Sequence, residues 1–331
     1  MKIAVALSGG VDSGTVASLL QEEGHEVFGV YMRLVRQDAG EALVPSDPSN
    51  ARVVADHLGI PLHVVDFSRE LEALVRYFCA EYDAGRTPNP CCVCNRWNKF
   101  GRLLKHAQSL GADGLATGHY VRIDRLDGRW VLRQGVDPTK DQSYMLFGLA
   151  QHQLAATRFP LGGFRKQDVR EMARQRGLPV VESKESQDVC FVPRRDHLSL
   201  LRERLGDRIE PGDILDTEGK VLGRHEGCQC YTIGQRRRLG VALGSRRYVV
   251  GVDRAQNTIT IGLKEDLLRD TMHVSQLNWM AFDPPTEPFE TTVKIRYSHR
   301  AAVCRVVPLP DGSVDVTFAE PQAGVTPGQA A

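Results

Sequence analysis

Eight cysteines occur in 331 residues, and four of them stand where thiol chemistry could take place. Cys91, Cys92 and Cys94 directly follow Thr87-Pro88-Asn89-Pro90, a proline-stiffened turn that holds a thiol outside a regular element and within reach of a ligand. Cys190 lies far along the chain in Ser186-Gln187-Asp188-Val189-Cys190-Phe191. Two such thiols facing one activated atom could transfer sulfur. One, as a thiolate or persulfide, is the nucleophile, and the other resolves the resulting linkage by exchange. Three crowded cysteines make a poor disulfide framework for so large a chain. In a reducing compartment they point to thiol chemistry or to metal.

A second chemical feature opens the chain. The apolar run Ile3-Ala4-Val5-Ala6 suits a buried parallel strand, and Leu7-Ser8-Gly9-Gly10-Val11-Asp12-Ser13 follows it at once. Gly9 and Gly10 let the backbone approach an anion, while Val16, Leu19 and Leu20 share one face of the helix that comes next. The lysine and Ser/Thr pair of the commoner P-loop is missing, so no lysine of the loop is set to grip the terminal phosphates of a nucleotide. Asp12 inside a phosphate loop is unfavourable unless it orients the loop or ligates magnesium. The segment resembles the PP-loop of the adenine-nucleotide α-hydrolase-like enzymes. That resemblance implies cleavage of ATP between its α and β phosphates and adenylation of a substrate.

The elements that must position these groups follow from periodicity. Strands are expected at residues 2–7, 26–32 and 60–67, with a helix through Ala51, Val54, Ala55 and Leu58 and a further strand end at Leu115-Ala116-Thr117. This βαβ alternation predicts an α/β fold with a doubly wound parallel sheet, in which ligands sit beyond the carboxyl ends of the strands. The loop at 8–13 and Gly118-His119-Tyr120 both fall there. Residues 36–50 read as a polar, mobile loop. A helical region is expected from about 148 to 205. Beyond Pro211-Gly212-Asp213 come short alternating segments, 247–252 and 258–261, and then 291–297 and 302–307 after the prolines of 283–288. The expected domains are 1–205, a central β-rich domain 206–270, and a C-terminal barrel-like domain 271–331.

Composition sets the bounds. The chain is 42% apolar and 25% charged, as for a folded globular protein, and no stretch approaches the ~20 apolar residues of a membrane span. The N-terminus enters a strand without a signal-peptide pattern, so the expected location is the cytoplasm. A net charge of +1 does not announce a nucleic-acid partner, but the basic residues are clustered. Arg165, Lys166, Arg170 and Arg174 flank Val169, Met172 and Ala173 of one predicted helix, and Arg194-Arg195, Arg236-Arg237-Arg238 and Arg246-Arg247 follow.

Taken together the motifs resemble the bacterial tRNA-specific 2-thiouridylase family, MnmA or TrmU, over nearly the whole chain. The residues that carry this are Ser8 to Ser13, Gly85-Arg86-Thr87-Pro88-Asn89-Pro90 with Cys94-Asn95, Ala116-Thr117-Gly118-His119-Tyr120, Lys140-Asp141-Gln142-Ser143-Tyr144, Cys190-Phe191, Gly234-Gln235-Arg236 and Thr326-Pro327-Gly328-Gln329. The resemblance implies that ATP, with Mg2+, adenylates O2 of the wobble uridine of tRNAs, those for Lys, Glu and Gln, and that a persulfide then supplies sulfur. By the same mapping Ala6, Leu7, Ser8, Gly9, Gly10, Val11, Asp12, Ser13, Met32 and Gly118 hold ATP. Cys190 bears the persulfide, loaded by a sulfur-relay protein or a cysteine desulfurase. Cys94 attacks the persulfide or closes a disulfide with Cys190 after transfer. Asn89, Pro90 and Cys91 meet the target base, while His119, Lys140, Asp141, Gln142, Arg296, Tyr297 and Gln329 map to tRNA contacts.

Two departures stand out. Some family members carry an aspartate at the position of Cys91, so an acid–base role for that carboxylate does not transfer here. The family's chains continue with more strand after the Thr-Pro-Gly-Gln element, which implies an open barrel edge near Ala331. Other readings stay open. Cys91, Cys94 and Cys190 could hold a [4Fe–4S] cluster with one open iron. The chain could be another PP-loop adenylating enzyme, or a non-catalytic RNA-binding or sulfur-carrier protein. His119 could be a core histidine. His225, Cys228 and Cys230 lack the second pair that a zinc site needs. Cys79 and Cys304 read as buried apolar residues, and Trp97 and Trp130 as packing residues.

Overall fold

The computed structural model describes residues 1–35, 47–181, 189–192, 196–241 and 244–331. Most of the expected polar loop, residues 36–46, lies outside the described residues, as do Ser186-Gln187-Asp188 and Arg194-Arg195. Packing divides the chain into two units. One holds Met1–Leu74, Cys91–Pro193 and Asn278–Asp283; the other holds Val75–Pro90, Arg194–Leu277 and Pro284–Ala331.

The first unit is built on strands β1 (Lys2–Ala6), β2 (Glu26–Arg33), β3 (Leu62–Asp66) and β4 (Gly114–Ala116), then a hairpin of β5 (Val121–Leu126) and β6 (Arg129–Gln134), and the short β7 (Thr157–Arg158). Five of these form one parallel sheet in the order β3-β2-β1-β4-β7. The chain moves outward from β1 to β3 and returns to the opposite side of β1 at β4. The winding direction therefore reverses between β1 and β4, the place where open α/β sheets bind ligands.

The connecting helices are α1 (Val11–Glu22), α2 (Ser49–Leu58), α3 (Ser68–Asp83), α4 (Pro90–Cys94), α5 (Leu104–Ser109), α6 (Gln151–Ala155) and α7 (Lys166–Gln175). A π-helical run, Asn95–Leu103, joins α4 to α5. Successive residues of β1 face opposite ways. Ile3 and Val5 pack with Val16, Leu20, Val54 and Val169, whereas Ala4 packs with Phe28, Val30, Phe100 and Leu103. Both faces of the sheet are covered, which is why β1 reads as an unbroken apolar run.

The helical region expected over 148–205 is not continuous. β7 and a 3-10 turn, Pro160–Gly163, separate α6 from α7. The cause is at Gly162, where a Cβ would lie 1.9 Å from the Val121 carbonyl oxygen: the chain crosses the hairpin backbone against backbone.

In the second unit α8 (His197–Leu205) leads into β8 (Gly212–Leu215), β9 (Val221–His225), β10 (Tyr248–Asp253) and β11 (Thr258–Gly262), a sheet in the order β10-β11-β8-β9. β12 (Leu268–Val274), β13 (Phe289–Val293), β14 (Ala302–Pro308) and β15 (Val314–Ala323) form another, in the order β12-β15-β14-β13. The strand expected over 291–297 stops at Val293. Residues 75–90 pack with these β-rich segments, and Asp83 is the fastening point: it accepts from Arg208, Arg254 and Gln229. Among the described residues no helix is long and apolar enough to cross a membrane.

Candidate active site

The chain leaves β1 at Ala6, and Leu7 N–H still reaches the Val30 carbonyl at 3.0 Å. The turn that follows is braced from within. Ser13 Oγ accepts from Ser8 N–H at 3.2 Å, donates to Gly10 O at 3.1 Å and meets Ser8 Oγ at 3.2 Å. Gly9 has φ +79°, and a Cβ there would stand 2.7 Å from the backbone nitrogen of Ala51, so only glycine fits against α2. Gly10 precedes α1 with no side-chain cap. The first-turn amides are thus left for an anion, as a phosphate cradle requires.

Asp12 has a defined task. Its carboxylate accepts Lys166 Nζ at 2.6 and 2.7 Å and the Tyr120 hydroxyl at 2.8 Å. Of the two roles open to it, the contacts show Asp12 orienting the loop. Lys166 was legible only as part of a basic helix. It is buried, it opens α7 on the same inward stripe as Val169 and Ala173, and its N–H donates to Asp137 at 3.0 Å. A lysine at an apolar position of the helical repeat is the signal that could have found it.

Gly118 brings the second loop to the first. A Cβ there would lie 2.9 Å from Asp12 Cβ and 3.3 Å from Ser13 N, so the loops after β1 and β4 touch where the winding reverses. Met32, at the end of β2, is half-buried against the core beside Ala6. His119, by contrast, does not face outward. It is 8% exposed, tilted against Phe100 and edge-to-face with Phe159, and bonded through Nδ1 to the Thr117 hydroxyl at 2.6 Å. Burial, with the nearby charge of Lys99, pushes its pKa well below 6.5, so its ring is neutral and packed as a core histidine.

Asp141 is buried, accepting from Gly135 N–H, Ser143 N–H and the Ser143 hydroxyl. Gln142 accepts from Tyr120 N–H and so steadies the tyrosine that holds Asp12. Lys140, half-buried, donates its backbone N–H to Asp137.

The thiols come together in the same unit. Cys91 and Cys94 lie on α4, half-buried, and the chain continues directly into the π-helical run, a form that recurs at functional sites. Asn98 Nδ2 approaches Cys94 Sγ at 4.0 Å, and Asn95 Nδ2 donates to Met145 O at 3.0 Å. Cys190 is solvent-exposed. Desolvation, reinforced by Cys94 and Cys91, pushes its pKa up to about 12, and Lys99 pulls the other way. Cys94 and Cys91 are raised mainly by burial and are likewise opposed by Lys99. The three sulfurs and one ammonium therefore share one electrostatic neighbourhood, with every cysteine a free thiol. Lys99 is a second residue that motif reading missed.

Among the described residues no group of three or more Cys, His, Asp or Glu side chains is arranged to hold a metal ion. Cys228 and Cys230 are buried and His225 bonds to Asn257 O. Cys79 and Cys304 are buried, Trp130 is half-buried under Arg125, and Trp97 is 49% exposed, so it is not a core residue.

The remaining site residues lie in the second unit. Asn89 is half-buried and Pro90 buried. Arg296 donates to the carbonyls of Ala323 and Gly324, Tyr297 is 37% exposed beneath Lys294, and Gln329 bonds to Thr87 O at 2.7 Å.

Comparison with known proteins agrees with this geometry. Residues 1–194 match the tRNA methyl transferase HUP domain, 199–263 the tRNA methyl transferase PRC-barrel domain and 269–331 the aminomethyltransferase beta-barrel domain. The tRNA-specific 2-thiouridylase MnmA of Geotalea uraniireducens is 47% identical over 99% of this chain and 90% of its own length. Those of Syntrophotalea carbinolica and Clostridium acetobutylicum are 47% and 42% identical, each over 99% of this chain and 94% of their own length. A phosphate cradle and convergent thiols, matched across three domains and nearly full length, make this chain a member of the MnmA family of tRNA-specific 2-thiouridylases.

Proposed function

We propose that this chain converts the wobble uridine of tRNA to 2-thiouridine, using ATP and a persulfide on Cys190. The observation that supports the reading is that one unit carries both a loop braced for phosphate and Cys190, a thiol that feels Cys94 from a distant part of the sequence. Each half answers one barrier. Uracil O2 is a poor leaving group; adenylation by ATP releases pyrophosphate and turns that oxygen into part of AMP. The terminal sulfur of the Cys190 persulfide then attacks C2, the C2–O bond breaks, and AMP departs. The Cys94 thiolate attacks Cys190 Sγ, forms the Cys94–Cys190 disulfide and frees 2-thiouridine.

Magnesium accompanies the pyrophosphate and offsets its charge. A thiol with a pKa near 12 is protonated at neutral pH, so Cys190 at rest is a guarded sulfur. The hydropersulfide is more acidic than the thiol that bears it, which favours attack only after loading. A relay protein or desulfurase of a reducing cytoplasm supplies that sulfur, and the tRNAs are those with modified wobble uridines, for Lys, Glu and Gln. Cys190→Ser should abolish thiolation of an anticodon stem-loop while sparing ATP–pyrophosphate exchange. Retained 2-thiouridine by mass spectrometry would overturn the reading.

A further inference from the structure

Residues 84–90 form the passage from α3 to α4, and Thr87 at its centre is held at each of its polar groups. Its N–H donates to Pro327 O at 2.8 Å, and its C=O accepts from the side-chain amide of Gln329 at 2.7 Å. Its hydroxyl meets that of Thr232 at 3.4 Å. Pro88 and Pro90 have no backbone N–H, while the N–H groups of Ala84, Gly85 and Arg86 bond back to the last turn of α3. Beyond them Thr87 is fixed by a turn far away in sequence. Within that turn the Thr326 hydroxyl donates to Gly324 O at 2.8 Å and Gln329 N–H reaches Thr326 O at 3.3 Å. Gly328 has φ +92°, and a Cβ there would lie 2.9 Å from Thr87 N and 3.0 Å from Thr87 O. The contact is thus closed backbone against backbone, and it admits no side chain.

We propose that the turn Thr326–Gln329 is a clamp that positions the Pro88-Asn89-Pro90 passage, with Gln329 acting through Thr87 as a positioning residue. This rests on the thiouridylase reading, under which Asn89, Pro90 and Cys91 meet the target base. Attack at C2 requires the base to be held in a near-attack geometry, and a misplacement of about 1 Å can cost on the order of 100-fold in rate. Two prolines take two backbone donors out of this stretch, and the distant turn adds constraint through its two bonds to Thr87.

The test uses the full chain with Gln329→Ala, with Gln329→Glu, which keeps the shape but sets an acceptor against the Thr87 carbonyl, and with Gly328→Ala. Three quantities are read: the rate of tryptic cleavage after the exposed Arg86, the single-turnover thiolation rate at saturating tRNA, and the tRNA dissociation constant. The clamp predicts faster cleavage after Arg86 and thiolation slowed by about 10- to 100-fold, with tRNA affinity within about twofold of wild type. Gln329→Ala and Gln329→Glu folded as judged by circular dichroism, yet cut and reacting at the wild-type rate, would overturn it. So would a loss confined to tRNA affinity, which would make Gln329 an RNA contact. Wild-type protein that fails to thiolate would instead defeat the thiouridylase reading itself.

Discussion

At the scale of single residues, the phosphate loop works because a buried pair holds Asp12 still. Lys166 is 9% exposed in its side chain and Asp12 30%, and the ammonium reaches both carboxylate oxygens. Removing one partner leaves the other charge half-buried and uncompensated, which costs about 3–5 kcal/mol in comparable pairs, whereas removing both is far milder. Lys166→Met should therefore destabilise the protein by about 3 kcal/mol in urea unfolding and weaken ATP binding. The double variant Asp12→Asn with Lys166→Met should recover much of the stability but not the binding. Additive losses in that cycle would show that the two side chains do not work as a pair. The same pair explains why Asp12 is tolerable among phosphates: its charge is answered from behind, by a residue 154 positions away.

At the scale of elements, the two loops that meet at the reversal of the sheet are separated by almost nothing. The 2.9 Å that a Gly118 Cβ would leave to Asp12 Cβ is closer than real packing allows, the 3.3 Å to Ser13 N is tighter than most, and part of what it strikes is backbone at the start of α1. Gly118→Ala should push these loops apart, lowering ATP affinity by about tenfold and stability by about 1–3 kcal/mol, the range for overpacking. Gly163→Ala, in the same unit with open space around it, is the control and should change neither. Isothermal calorimetry and thermal unfolding read both quantities, and equal behaviour of the two variants would refute the close approach.

The reversal itself was legible in sequence, because β1 is apolar on both faces and the glycines of the loop follow at once. Less legible was everything set by contact at a distance. The helical stretch after residue 148 is broken by a backbone crossing at Gly162, which leaves no mark in local periodicity. The π-helical run that follows Cys94 has a helical pattern whose extra residue per turn cannot be counted from side-chain types. Nor does local sequence show that His119 and Asp141 are buried, each bonded to a neighbour two residues away.

At the scale of the whole molecule, a net charge of +1 hides an uneven distribution. Many arginines are neutralised where they stand: Arg176 by Glu22, Arg86 by Glu81, Arg129 by Asp283 and Arg208 by Asp83. Arg236, Arg238, Arg246 and Arg247 are gathered differently, around one cavity of about 480 Å³ in the second unit. Guanidinium groups set around a concave surface suit phosphate oxygens, and each contact to a nucleic-acid backbone releases condensed counterions. Binding of tRNA should therefore weaken steeply with salt although the protein as a whole is nearly neutral. Replacing Arg236 and Arg238 together by Ala should lower the slope of log affinity against log salt by about 1 to 2 and leave ATP binding untouched. A slope unchanged in the double variant would place the RNA backbone elsewhere on the protein, and a flat response in the wild type would deny that phosphate contacts hold the tRNA at all.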